Sequence, residues 1–306
     1  MLRWALLMGS RLSSTSTTSC ATTLPMPTPN PKPIRLLISR PYLGDAILKF
    51  LDRYSDRVDY LLDSGAFTYH KQKRETSVED YIQFVKSLPV KPWGYFQLDV
   101  IFDAQRTADN LAKMLDAGLK PIPIFTRGDD FSRLETMYEA SDVVGVGGLA
   151  GAGHKRSQRL AFLDRFTRQV AGRKIHWLGV MSGNLLAKYR PYSCDGTIRN
   201  ASLRYGQTSV YMGRGQMLKW GRDERASKPS TEVLQRIRHY GIDPYMLAKE
   251  KNWRGGVSLS HMLSMRSWHD YVQDLEKHAG VYAWFATPNY PHDMVNFMEW
   301  LETCHQ

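Results

Sequence analysis

The sequence predicts an α/β protein, a zinc-free TIM (β/α)8 barrel with a helical elaboration at its C-terminal end. Three observations predict it. Strand-like apolar runs and amphipathic helical runs alternate eight times between Ile34 and Met212, at about 20–35 residues per unit, the pattern of parallel strands with covering helices. The chain has 306 residues, of which 42% are hydrophobic, enough for one barrel of about 250 residues. Finally, Asp63, Asp99, Gly147-Gly148, Gly179 and Asp195 all fall where a predicted strand ends. In a barrel those ends share one face, and active sites lie there. A doubly wound open sheet is the alternative for the same alternation.

Each element has a local reason. Ile34-Arg35-Leu36-Leu37-Ile38-Ser39 reads as a buried strand. Asp45 to Tyr54 places Ala46, Ile47, Phe50 and Leu51 on one helical face. Asp59 to Asp63 is the second strand. Thr76-Ser77-Val78-Glu79-Asp80 carries a capping signal, and Tyr81, Phe84, Val85 and Leu88 form the apolar stripe behind it. Tyr95 to Asp99 is the third strand, and the next helix runs from about Ala104 to Ala117 and stops at Gly118. Pro121 to Phe125 is a fourth strand whose bounds the prolines blur.

A helix over 131–140 then leads to a fifth strand, 142–147, and the glycine-rich stretch that ends at Gly153. Helix 155–171, strand 174–179, a short helix 184–189 and strand 192–195 follow. Thr208 to Met212 is expected to supply the eighth strand, and 231–306 to be mostly helical, with a loop at Lys251–Gly256. Residues 34–306 are thus read as a single domain.

Residues 1–33 differ in kind. They are rich in Ser, Thr and Pro and hold no acidic residue. Two readings stand: a disordered leader from an upstream start, with Met26 the working start, or a transit peptide, so that mitochondrial targeting by residues 1–25 stays open. Cys20, Cys194 and Cys304 are far apart and odd in number. They imply no disulfide framework and no zinc spacing, and a reducing cytoplasm is the default compartment. No apolar run approaches the roughly 20 residues of a membrane span. The net charge of +11 suggests a polyanionic partner, nucleic acid first.

Asp63-Ser64-Gly65-Ala66-Phe67 joins an acid, a small-residue backbone and an aromatic ring in one strand-to-loop turn. That composition suits a pocket for a planar ring, and it equally suits a strand end with a helix cap. Three carboxylates around one mouth raise at least one pKa and invite acid/base or nucleophilic work, or a Mg²⁺ ion. The plainer reading of each acid alone is a helix cap or a partner for Arg106, Arg127 or Arg199. The glycines from Gly145 to Gly153 cradle a phosphate, floor a planar base, or make a tight turn. His176, inside an apolar strand, reads as a satisfied core residue, and Cys194 as packing. Arg199, Arg204, Arg214, Lys219, Arg222 and Arg225, interleaved with Tyr205, Tyr211 and Trp220, have the composition of a nucleic-acid surface or of an exposed basic face. Lys251, Trp253 and Arg254 are a second candidate for that role.

Taken together, the strand-end motifs resemble the tRNA-guanine transglycosylase superfamily. Asp63-Ser64-Gly65-Ala66-Phe67 is similar to its Asp-Ser-Gly-Gly-aromatic motif, and Gly147-Gly148-Leu149-Ala150 to its Gly-Gly-Leu-Ala loop. His176-Trp177-Leu178-Gly179-Val180 resembles its Leu-Met-Gly-Val strand, and Asp195 with Thr197-Ile198-Arg199-Asn200-Ala201 a shortened form of its nucleophile segment.

The resemblance implies a barrel that exchanges guanine for a 7-deazaguanine; neither a metal nor another cofactor is expected for this chain. Asp195 would be the nucleophile and Asp63 the acid/base. Asp99 would read the base edge, with Ser64, Gly147 and Gly179 in the pocket wall. The amides of Gly148 and Leu149 would contact the base carbonyl, and Phe67 and Leu178 would sandwich the ring. The family's zinc cluster is absent, the chain is short, and Thr126 stands near the family's base-reading Gln. These departures point to the DNA 7-deazaguanine transglycosylases of phages and bacterial modification islands, which insert a free base such as preQ0 and protect DNA from restriction. tRNA is the alternative substrate, and an inactive nucleic-acid-binding barrel a third reading. The oligomeric state is not legible.

Overall fold

The computed structural model describes residues 34–126, 128–149, 156–197, 202, 205–221, 229–251, 258–286 and 291–303. The leader at 1–33 lies outside the described residues, as do Cys20 and Cys304. The order is β1 (Ile34–Ser39), α1 (Asp45–Arg53), β2 (Val58–Asp63), α2 (Ala66–Lys71), α3 (Val78–Ser87), β3 (Gly94–Tyr95), α4 (Ala104–Asp116), β4 (Ile124–Phe125), α5 (Arg133–Ala140) and β5 (Val143–Val146). Then come α6 (Arg156–Val170), β6 (Lys174–Trp177), α7 (Gly183–Tyr189), β7 (Ser193–Gly196), β8 (Thr208–Gly213), β9 (Gln216–Trp220), α8 (Thr231–His239), α9 (Pro244–Lys249), α10 (Leu259–Ala279), β10 (Tyr282–Ala286) and α11 (Pro291–Thr303).

The local signals mostly act as their chemistry dictates. Ser77 caps α3 by accepting from the Asp80 N–H, and Asp103 caps α4 through the Arg106 N–H. Gly118 ends α4, its own N–H bonded to Leu115 O and the Leu119 N–H to Met114 O.

Eight strands form one sheet in the order β3-β2-β1-β10-β7-β6-β5-β4, every neighbouring pair parallel. The sheet is curled into a half-barrel rather than closed as a full barrel. Beyond β3 and before β4, Phe96 and Ile122 form one parallel bridge. There the Gln97 N–H donates to Ile122 O at 3.0 Å and the Ile122 N–H to Tyr95 O at 2.8 Å. The result is a parallel, curled α/β sheet joined across its edges by a short bridge.

Two apolar clusters lie on opposite faces of this sheet, because strand side chains alternate. Inside the curl are Leu37, Leu61, Phe96, Ile122, Ile124, Val143, Trp284 and Ala286. Outside, Leu36, Ile38, Tyr60, Leu62, Val144, Val146, Ile175 and Trp177 join the larger core beneath the helices.

Two sequence expectations are corrected. Residues 208–212 do not supply the eighth strand of the sheet. β8 pairs antiparallel with β9 in a separate hairpin, and Gly213, Arg214 and Gly215, all at positive φ, turn the chain back on itself. The eighth strand is β10, inside a region expected to be helical, and it inserts between β1 and β7. Gly280, left-handed at φ 67, stops the 21-residue α10. The next residues, Tyr-Ala-Trp-Phe-Ala, are too few for a helix and are nearly all buried. The C-terminal region is therefore part of the sheet as well as a helical cover.

Trp284 is 2% exposed and fills the inner cluster beside Trp93. Trp284→Ala is expected to cost about 3–5 kcal/mol, read as a lower urea midpoint. A loss under about 1 kcal/mol would mean that the interior is not packed as described.

Candidate active site

Alternation inside the curl also sets the site. Leu37 faces inward, so Ser39 two residues on does too, and Leu61 brings Asp63 with it. Ser39 and Asp63 are register partners at the ends of β1 and β2. The Ser39 side chain hydrogen-bonds the Asp63 carboxylate. Asp63 Oδ2 also accepts from the Gly65 N–H at 3.2 Å, and Ser64 Oγ from the Ala66 N–H at 3.3 Å.

Gly65 sits at φ 82 as the residue before α2. A Cβ there would lie 2.4 Å from Pro41 Cδ. The bare face of this glycine is thus filled by Pro41 rather than left for a ligand, and its role is to let the turn close. Phe67 is 57% exposed on the first turn of α2, with Lys71 Nζ 4.3 Å from its ring centre.

Asp99 follows β3 and accepts from the Ser64 hydroxyl at 3.2 Å. Burial, with the charge of Asp63 adding to it, pushes the Asp99 carboxyl up to about 7. Asp63 is raised as well, first by burial, while the Ser39 bond opposes and the charge of Asp195 adds. Burial and a neighbouring like charge thus raise both carboxyl groups at one end of the sheet.

Asp195 stands in β7 opposite Trp284 and is 5% exposed. Its Oδ1 accepts from the Gly179 N–H at 2.8 Å and from His176 Nε2 at 3.2 Å. Gly179 reaches this position at φ 71, a conformation that suits glycine. His176 Nδ1 lies 2.8 Å from Ser193 Oγ. With the proton on Nε2, the ring donates to Asp195 and accepts from the Ser193 hydroxyl. Phe96 packs against the other side of the ring, centroids 5.1 Å apart.

His176 is buried and satisfied, as expected from the sequence, but its partner is the nucleophile candidate. Sequence reasoning missed that link. Its signal was parity: His176 and Leu178 share the inner face, while the bulky Ile175 and Trp177 face the helices. Cys194 points outward into the core, and burial together with the Asp195 charge pushes its thiol up. It packs and is not activated.

Gly147 and Gly148 follow β5, and Leu149 is 1% exposed, anchoring the loop in the outer core. A Cβ on Gly147 would meet Ile124 and Thr126 at 3.3 and 3.5 Å, so Thr126 does border this glycine. Leu178 is half-buried, its Cδ1 3.3 Å from where a Gly145 Cβ would stand.

A cleft of about 870 Å³ opens beside Asp195. Gly179 and Gly196 line it together with Arg159, Tyr205, Lys219 and Trp268, whereas the three carboxylates do not. Of the basic run, Arg214 is exposed at the β8–β9 turn and Lys219 lies on β9. Arg199, Arg204, Arg222 and Arg225 lie outside the described residues, as do Arg127, residues 150–153, Trp253 and Arg254. Among the described residues no group of three or more His, Cys, Asp or Glu could hold a metal ion, and no helix is long and apolar enough to cross a membrane.

No protein-family model matches this chain, and no curated protein matches it. Among solved structures a neighbour is the crystal structure of Cryptosporidium parvum malate dehydrogenase, at 13% identity and a TM-score of 0.22, covering 88% of this chain and 77% of that one. A likeness at that TM-score carries no argument.

A raised carboxyl pKa has a definite sign in stability. Between 3.8 and about 7 the folded protein keeps the Asp99 proton that the unfolded chain has released, so stability falls as pH rises through that window. Asp99→Asn is expected to reduce the slope of the urea midpoint against pH there. An unchanged slope would mean that Asp99 is not the group responsible.

Proposed function

We propose that this chain is a base-exchange transglycosylase on a (β/α)8 barrel, replacing guanine in DNA by a free 7-deazaguanine such as preQ0 and so protecting that DNA from restriction. The single observation that supports it most is the fixed Asp195 carboxyl group, held through one oxygen by Gly179 and His176, on the same inner face as Asp63, whose pKa is raised by burial. The eight parallel strands and the Phe96–Ile122 bridge support the barrel reading.

The chemistry suits these residue types. Breaking an N-glycosidic bond builds positive charge on the sugar. Asp195 Oδ2 attacks C1′ and forms an ester bond as the C1′–N9 bond breaks. Asp63 gives its proton to the departing guanine. The incoming base then attacks C1′, its ring N–H proton returns to Asp63, and Asp195 leaves as a carboxylate. Two displacements retain the configuration at C1′. Asp99, its carboxyl pushed up to about 7 by burial and the charge of Asp63, can donate to or accept from the edge of a base.

His176 serves as a positioning residue. It presents one N–H to Asp195 and is itself oriented by Ser193, so the second carboxylate oxygen is held in one attitude. A misplaced nucleophile costs about 100-fold in rate.

The test is a base-exchange assay with labelled preQ0, double-stranded DNA and, in parallel, tRNA, with products identified by mass after digestion to nucleosides. Wild type is expected to place the label in DNA, Asp195→Ala to place none, and His176→Ala to lower kcat by about 100-fold with little change in KM. Label in tRNA alone would move the activity to tRNA. Label in neither would overturn the proposed chemistry for this base.

A further inference from the structure

The cleft beside Asp195 is chemically one-sided. Among the described residues that line it, Arg159 and Lys219 are cationic and none is Asp or Glu. Neither cation has a carboxylate partner among the described residues. Arg159 Nε has no hydrogen-bond partner among the described residues. Lys219 Nζ is held 5.4 Å from the ring centre of Trp268, and burial lowers its pKa from the ordinary lysine value. Two positive charges that line one cleft, with no carboxylate partner among the described residues, would be stabilised by an anion from outside.

The shape adds to the charge. Lys219 and Arg159 come from different elements, β9 and α6, across an opening large enough for a nucleotide. Tyr205 stands at its lip, 74% exposed, and offers a face on which a base can stack. The cleft also shares a wall with the site. The Gly179 N–H holds Asp195 Oδ1, and Gly179 and Gly196, next to Asp195 in β7, both line the cleft. A chain whose sugar C1′ faces Asp195 would run its phosphates directly into this space.

We propose that the cleft is a channel for the phosphodiester strand flanking the target nucleotide, with Arg159 and Lys219 on successive phosphates and Tyr205 stacked on a neighbouring base. This rests on the transglycosylase reading for the identity of the strand. It does not rest on that reading for the anion. The β8–β9 hairpin, which adds nothing to the main sheet, gains a role as the outer wall that carries Lys219.

The experiment is fluorescence anisotropy with a labelled single-stranded DNA oligonucleotide, repeated from about 50 to about 200 mM salt. Each phosphate contact removed is expected to reduce the slope of log K against log salt by about 0.7, so Arg159→Gln with Lys219→Gln lowers it by about 1.4. Tyr205→Ala is expected to weaken binding about tenfold at every salt concentration with the slope unchanged. Arg159→Lys keeps the charge and is expected to keep the slope, which separates a phosphate contact from damage to the fold. A double variant with the wild-type slope and a wild-type melting curve would overturn the channel. Loss of slope in a protein that exchanges no base would keep the channel and sink the transglycosylase reading. Base exchange with an unchanged slope would do the reverse.

Discussion

Parallel pairing is the constraint on which the rest of this molecule depends. Because every strand of the main sheet runs the same way, each strand's last residue falls on one face. Side chains from β1, β2, β6 and β7 can then meet although they are far apart in the chain. Alternation does the second half of the work. Ser39, Asp63, His176 and Asp195 point into the curl by the same two-residue rhythm that sends Ile38, Leu62, Trp177 and Cys194 outward into the core. Direction and parity, both backbone properties, gather the acids and aim them.

Gathering acids has an electrostatic cost, and the structure meets it differently at each one. Asp195 is given two N–H donors, one from the backbone and one from an imidazole. Asp63 has a hydroxyl and a backbone N–H, and Asp99 a hydroxyl. Asp63 and Asp99 are raised, because hydrogen bonds from a few neutral donors do not offset burial plus a like charge.

Most of the fold was legible in the sequence, for physical reasons. The runs that became β1, β2, β5 and β6 carry apolar residues on the face toward the helices, and the helices between them carry caps such as Ser77 and stops such as Gly118. The eighth strand was not legible. Tyr282 to Ala286 is five residues between two helices, and its pairing with β1 comes from the far end of the chain. Thr208 to Met212 has strand composition, but the Gly-Arg-Gly turn after it chose an antiparallel partner. At the site, the acids could be read from strand ends. The bond from His176 to Asp195 could not, since it needs the register of two neighbouring strands, and neither could Pro41 against Gly65, a contact between two loops.

The place of β10 has a consequence for how the molecule forms. A strand from near the end of the described chain sits between β1 and β7, and α10 just before it ties back to β1 through Arg35 and Glu276, 241 residues apart. During synthesis β1 must wait with one edge unpaired until nearly all of that chain has emerged. Closing so long a loop is slow, and an open apolar edge invites pairing with other chains. Folding here is a late, all-at-once event, with its greatest hazard just before the last strand arrives.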